Sequence, residues 1–189
     1  MVKFFLSLFF VCSLIFPLNA CDDFYPMRTE ESFEFHPIQT SIKDIDAFIA
    51  EIEKYASTFE NDLILGSIQL IYDQNFDYKI DFEFSKTISE EIVVRVSITY
   101  DSLNKGIEYS RCFTGHRKVY TPYEKELDFS NWKMDFEEGR EVLKEKMIEN
   151  DIQAFDRIGC NCYSDEWDFR VFLQRDTAYY DAIVITVEP

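Results

Sequence analysis

Three short patterns bring chemistry-bearing residues close together in this sequence. Cys112 stands four residues before His116, Cys160 and Cys162 flank a single residue, and Asp73, Asn75 and Asp77 alternate through a short polar stretch. A thiol beside an imidazole is the beginning of a nucleophile–base pair, but such a pair also needs the two groups within hydrogen-bond reach. His116 lies in Gly115-His116-Arg117-Lys118, a basic island that reads more simply as a solvated loop. Three thiols plus His116 would complete a zinc set, yet Cys-x-Cys is tighter than the spacing zinc sites use. The Asp-x-Asn-x-Asp stretch opens like a calcium loop, but Tyr78 occupies the position that requires glycine, and Phe84 the position of the bidentate glutamate. A hairpin turn accounts for the same acids. Glu90-Glu91 and Glu137-Glu138 offer paired carboxylates, an arrangement far commoner on exposed faces than in glycosidases. No Gly-x-Ser-x-Gly, His-Glu-x-x-His, phosphate-cradling glycine loop or dinucleotide fingerprint occurs. The expectation is a protein without catalytic residues, metal or cofactor, and not an enzyme.

The elements that carry these residues are legible from periodicity. In residues 41–59, Ile42, Ile45, Phe48, Ile49, Ile52, Tyr55 and Phe59 recur at three and four, the stripe of a helix with one buried face, with Ser41 as its expected cap. Strict alternation follows in Ile68-x-Leu70-x-Tyr72, then from Phe76 to Phe84, then from Ile92 to Tyr100, with a fourth strand near residues 107–113. A second helix is expected over residues 130–149, weakened by Gly139. Three more strands fall near 155–162, 166–174 and 179–187. The expected fold is α+β, an antiparallel sheet of about seven strands with two helices on one face.

The two halves echo each other. Glu60-Asn61-Asp62-Leu63 after the first helix reappears as Glu149-Asn150-Asp151-Ile152 after the second. Phe76-Asp77-Tyr78-Lys79-Ile80 reappears as Trp167-Asp168-Phe169-Arg170-Val171, and Ile92 to Val96 as Ile183 to Val187. A tandem α-β-β-β duplication follows, with half-repeats at residues 39–120 and 128–189.

The chain opens with Lys3 and an apolar run from Phe4 to Phe16, too short to span a bilayer as a helix. A charged start, a short greasy stretch and a small residue before a cut site describe an export signal over residues 1–20. Residues 21–38, with Pro26 and Pro37, read as a tether, and residues 39–189 as a single domain. Lys3 is the one charge in the leader, so the exported part sits at −18 against −17 for the whole chain. That balance excludes nucleic acid as a partner, because phosphates would be repelled, and favours a basic protein.

Leu18-Asn19-Ala20-Cys21 resembles the lipobox of bacterial lipoproteins. That resemblance implies acylation of Cys21 (palmitate among the chains) and contact with the membrane through the lipid alone. The domain would then lie in the cell envelope, facing the periplasm or the exterior. Asn19 departs from the pattern, and a soluble secreted chain is the alternative. Asp22 resembles the retention signal that holds lipoproteins in the inner membrane. An oxidising compartment favours one disulfide among Cys112, Cys160 and Cys162. The last two share a strand face, and either can meet Cys112 from a neighbouring strand. The helix-plus-sheet layout resembles the β-lactamase-inhibitor-like group and the small lipoproteins of outer-membrane assembly. Tyr120, Tyr123, Tyr179 and Tyr180, near loops or strand ends, are interface candidates. The functional expectation is a protein-binding lipoprotein of inhibitor or immunity type. A small-ligand-binding or sensing envelope protein is the alternative, and an unrecognised enzyme the third reading.

Overall fold

The computed structural model describes residues 29–117, 121–173 and 182–189. In chain order the elements are β1 (Thr29–Ser32), β2 (His36–Pro37), α1 (Ile45–Ala56), β3 (Ile64–Tyr72), β4 (Tyr78–Thr87), β5 (Ile92–Asp101), β6 (Gly106–His116), α2 (Phe136–Glu149), β7 (Arg157–Cys162), β8 (Trp167–Phe172) and β9 (Ala182–Val187). The protein is α+β, one antiparallel nine-stranded sheet with two helices. Strands run in the order β1-β6-β5-β4-β3-β7-β8-β9, with β2 also paired to β6.

Seven of the nine strands are those the alternation marks. The other two correct the tether, whose second half is part of the sheet. Glu30 lies across from Cys112 and His36 across from Ile107, so β1 and β2 cover an edge that β6 would otherwise expose. The segment has no apolar periodicity because it lies at the rim, with little side chain to bury.

Both helices start later than periodicity implies, and capping chemistry explains the shift. Asp44, not Ser41, closes α1, its carboxylate accepting from Ala47 N at 3.2 Å. Asp135 closes α2, accepting from the Glu137 and Glu138 amides at 2.8 Å, while Glu138 reaches back to Asp135 N at 3.0 Å. This reciprocal capping box satisfies donors the first turn would leave bare, and a cap of this kind is worth about 1 kcal/mol. Each helix is followed by an aspartate in the left-handed region, Asp62 at φ 53° and Asp151 at φ 54°. These are corresponding residues of the two Glu-Asn-Asp echoes.

One face of the sheet holds the core. Tyr72, Ile80, Phe82, Ile98, Trp167 and Phe169 are all essentially buried there. Phe48 of α1 meets Phe82 and Tyr100 at ring separations of 6.0 and 5.0 Å, and Phe136 of α2 at 6.2 Å. Phe136 stacks on Trp167 at 5.6 Å. Gly139 has a packing reason: a Cβ there would collide with the Trp167 ring. The first strand after each helix, β3 and β7, lie side by side and antiparallel at the middle of the sheet, with Leu70 opposite Cys160.

Candidate functional site

The alternation that sends Phe82 to the core sends its neighbours to the other face. There the register lines up Asp81 with Thr99 and Gln69, Glu83 with Ser97, and Arg95 with Phe113. Farther along, Arg170 lies across from Gly159 and Val184, and Asp168 from Asn161 and Thr186. Five strand cations, Lys79, Arg95, Arg111, Arg157 and Arg170, thus interleave with Asp81, Glu83 and Asp168.

Much of this face is held by local pairs. Arg111 Nε meets Glu31 at 3.2 Å, Lys79 pairs with Glu108, and Thr186 donates to Asp168 at 2.8 Å. Arg111 and Arg157 stand over Phe113 and Phe172, 5.6 and 4.9 Å from the ring centres. Two polar atoms are buried without a hydrogen-bond partner, Asp81 Oδ1 and Arg95 Nε. Burial pushes the Asp81 carboxyl above its ordinary range, against a hydrogen bond with Thr99 that pulls it down. Apolar groups lie within the same field: Phe33, 76% exposed, leans on Tyr109 with ring centres 5.0 Å apart, and Val184 is 57% exposed.

Of the tyrosines singled out by sequence, Tyr123 is part of this face, whereas Tyr120, Tyr179 and Tyr180 lie outside the described residues. Tyr123 N donates to Ser85 Oγ at 2.8 Å and its hydroxyl to Glu83 Oε2 at 2.6 Å. Its ring rests on Gly66, where any Cβ would fall inside it, and Arg95 sits over the ring at 5.4 Å. Burial, followed by the bond to Glu83, pushes the phenol up to about 12. Tyr123 thus straps its own loop to the sheet. Asp81, Glu83 and Arg95 were not singled out by sequence; the signal available was the polar half of the alternation.

The other chemical patterns do not converge. Cys112 and His116 lie on one strand face with three residues between them, about 13 Å apart at strand rise, too far for a nucleophile–base bond. Asp73 accepts from the Asn75 and Asp77 amides at 2.8 and 3.0 Å, so it shapes the β3–β4 turn. Among the described residues no three acids, thiols or imidazoles gather as a metal would require. Glu137 accepts from the Tyr78 hydroxyl at 2.7 Å and pairs with Arg140 at 2.6 Å, and Glu138 completes the helix cap.

The cysteines need one correction. Cys160 and Cys162 do share a buried face, their sulfurs 4.0 Å apart. Cys112 is on β6, which is separated from β7 by β5, β4 and β3, about 19 Å of sheet. A bridge needs Cα atoms within about 7 Å, so Cys112 cannot join either partner in this fold. Cys21 and the rest of residues 1–28 lie outside the described residues. No helix among the described residues is long and apolar enough to cross a membrane.

At one end of the sheet, Asp73, Asp77, Asp101, Asp156, Lys79 and Arg157 rim a cavity of about 250 Å³. It falls short of the roughly 300–1,000 Å³ typical of ligand pockets. Asp101 is committed to its turn: burial would raise its carboxyl, but donors from Leu103 and Asn104 hold it below the ordinary range.

No protein-family model matches the chain, and no curated protein matches it either. Among solved structures it is similar to an acyl-ACP thioesterase from Bacteroides thetaiotaomicron. The identity is 9%, and the match covers 85% of this chain and 98% of that one, with a TM-score of 0.22. Similarity at that level says nothing about what this chain does.

Proposed function

We propose that this chain is an exported protein, tethered by a lipid on Cys21, that binds another protein through the charge-interleaved face of its sheet and does no chemistry of its own. An inhibitor or immunity-type factor fits that description. The observation that carries the reading is the face itself: strand cations alternating with Asp81, Glu83 and Asp168, with exposed Phe33 and Val184 among them. A surface of mixed sign rejects partners whose charges do not match it, while the net acidity of the whole molecule speeds the approach of a basic one.

The architecture supports the same use. Ring contacts of Phe48 with Phe82 and of Phe136 with Trp167 support a layout with both helices on the aromatic face, which leaves the charged face for a partner. The two halves are a tandem duplication joined at β3 and β7. The equal left-handed turns at Asp62 and Asp151 support that reading, and so does the placing of the echoed strands at matching ranks on either side of the join.

The test is capture from an envelope extract at low and high salt. The wild-type chain is expected to retain a partner at low salt and release it at high salt. Reversing Arg157 and Arg170 to Glu, both exposed, is expected to abolish capture, while Glu145→Lys on α2 is expected to preserve it. Equal capture by all three proteins, or none by the wild type, would defeat the proposal.

A further inference from the structure

We infer that this chain associates with a second copy of itself through β9, the two last strands pairing antiparallel about a two-fold axis centred at Ile185. The inference rests on the contrast between the two ends of the sheet. An edge strand presents a row of backbone N–H and C=O groups that invites another strand, and native proteins commonly block it with charge, proline, brevity or a bulge. The β1/β2 edge uses three of these devices. It is broken into pieces of four and two residues, Glu30 and Glu31 sit in the first, and Pro37, which has no N–H, ends the second.

Within its six residues the β9 edge uses none of them; Glu188 and Pro189 come only after the strand has ended. Ala182-Ile183-Val184-Ile185-Thr186-Val187 has no charge and no proline, and its register with β8 is unbroken. Five of the six residues are β-branched, the composition that favours strand pairing. Among the described residues β9 has β8 as its sole strand neighbour, whereas β5, which carries the echo of the same sequence, is paired on both sides by β4 and β6. Among the described residues no strand takes, in the second half, the position that β6 fills in the first.

A second copy of β9 fits that position. Centring the pair at Ile185 sets Ile183 against Val187 of the second copy on the core face, and Val184 against Thr186 on the charged face. Like faces then continue across the seam. Ile183 and Val187, half-buried at the edge of the core, gain the apolar neighbours that interior strands already have. The chain's negative charge opposes self-association, but Ala182–Val187 carries no charge, and Glu188, just past the end of β9, falls opposite Ala182 of the second copy rather than another acid. The nearest strand charges, Asp168 and Arg170 on β8, are of opposite sign, and Asp168 already accepts from Thr186. The pairing is self-complementary, as a two-fold contact must be.

The experiment weighs the protein by native mass spectrometry from detergent, expressed with its leader and purified as the host processes it. Wild type is expected at twice the single-chain mass, the fraction rising with concentration up to the order of 100 µM. Val184→Lys adds the charge that protected edges carry, at a position outside the core row. It is expected to return the protein to single-chain mass with unchanged circular dichroism and, at concentrations where wild type is itself single, an unchanged unfolding temperature. Val184→Thr, which keeps the β-branch, is expected to retain the double mass. Single-chain mass for wild type throughout that range overturns the inference. So does a double mass that survives Val184→Lys, since association would then run through the leader or another surface.

Discussion

The same nine strands present two faces built on opposite terms. On one, Phe82, Tyr100, Trp167 and Phe169 pack ring against ring with Phe48 and Phe136, and almost none of that surface meets water. On the other, cations and carboxylates alternate, held by short local pairs and by aromatic rings beneath guanidinium groups. The aromatic face fixes the fold through volume: each ring has one place to go, and its neighbours are already in contact. The charged face fixes little of the fold, because exposed ion pairs contribute between nothing and about 1 kcal/mol. Substitutions should therefore be felt as lost stability on the first face and as lost recognition on the second.

The sharpest way to break that contrast is at Gly139. In an exposed helix, Gly→Ala gains about 1 kcal/mol from propensity. Here the added methyl meets Trp167, so Gly139→Ala is expected to destabilise the protein by roughly 1–3 kcal/mol, the usual cost of overpacking a core. Urea unfolding measures it, and a more stable variant would mean that α2 is not seated on Trp167. On the charged face the strongest single device is Tyr123. Tyr123→Phe keeps the ring on Gly66 and removes only the donor to Glu83, with an expected loss of about 1 kcal/mol by the same measurement. A loss as large as that at Gly139 would erase the distinction between the two faces.

The aromatic face was far more legible in the sequence than the charged one. Apolar residues two apart on strands and three or four apart on helices are forced by burial, so Phe82 with Ile80 and Ile49 with Ile52 announce themselves. Gly139 shows the limit of that reading: propensity marks it as a flaw in α2, and only the position of Trp167, 28 residues on, supplies its reason. Asp81, Glu83 and Arg95 leave no pattern beyond being polar, because what brings them together is strand register, a long-range property. The same holds for Cys112, whose distance from Cys160 depends on β3, β4 and β5 lying between them. β1 and β2 read as tether in the sequence because a short rim strand is defined by the backbone of its neighbour rather than by its own side chains.

The smallest expected effect concerns Asp81, and its sign is the informative part. Burial raises its carboxyl above the unfolded value of about 3.9, so the folded state holds the proton more tightly than the unfolded chain does. Below that value both states are protonated and Asp81 contributes no penalty. As pH rises through the raised folded value, ionisation costs the folded state more, and stability falls. Asp81→Asn removes the charge without changing the shape, so it is expected to unfold at a higher temperature than wild type at pH 7, the gap closing towards pH 3. Thermal unfolding across that range measures it, and a wild type more stable than the variant at pH 7 would sink the account.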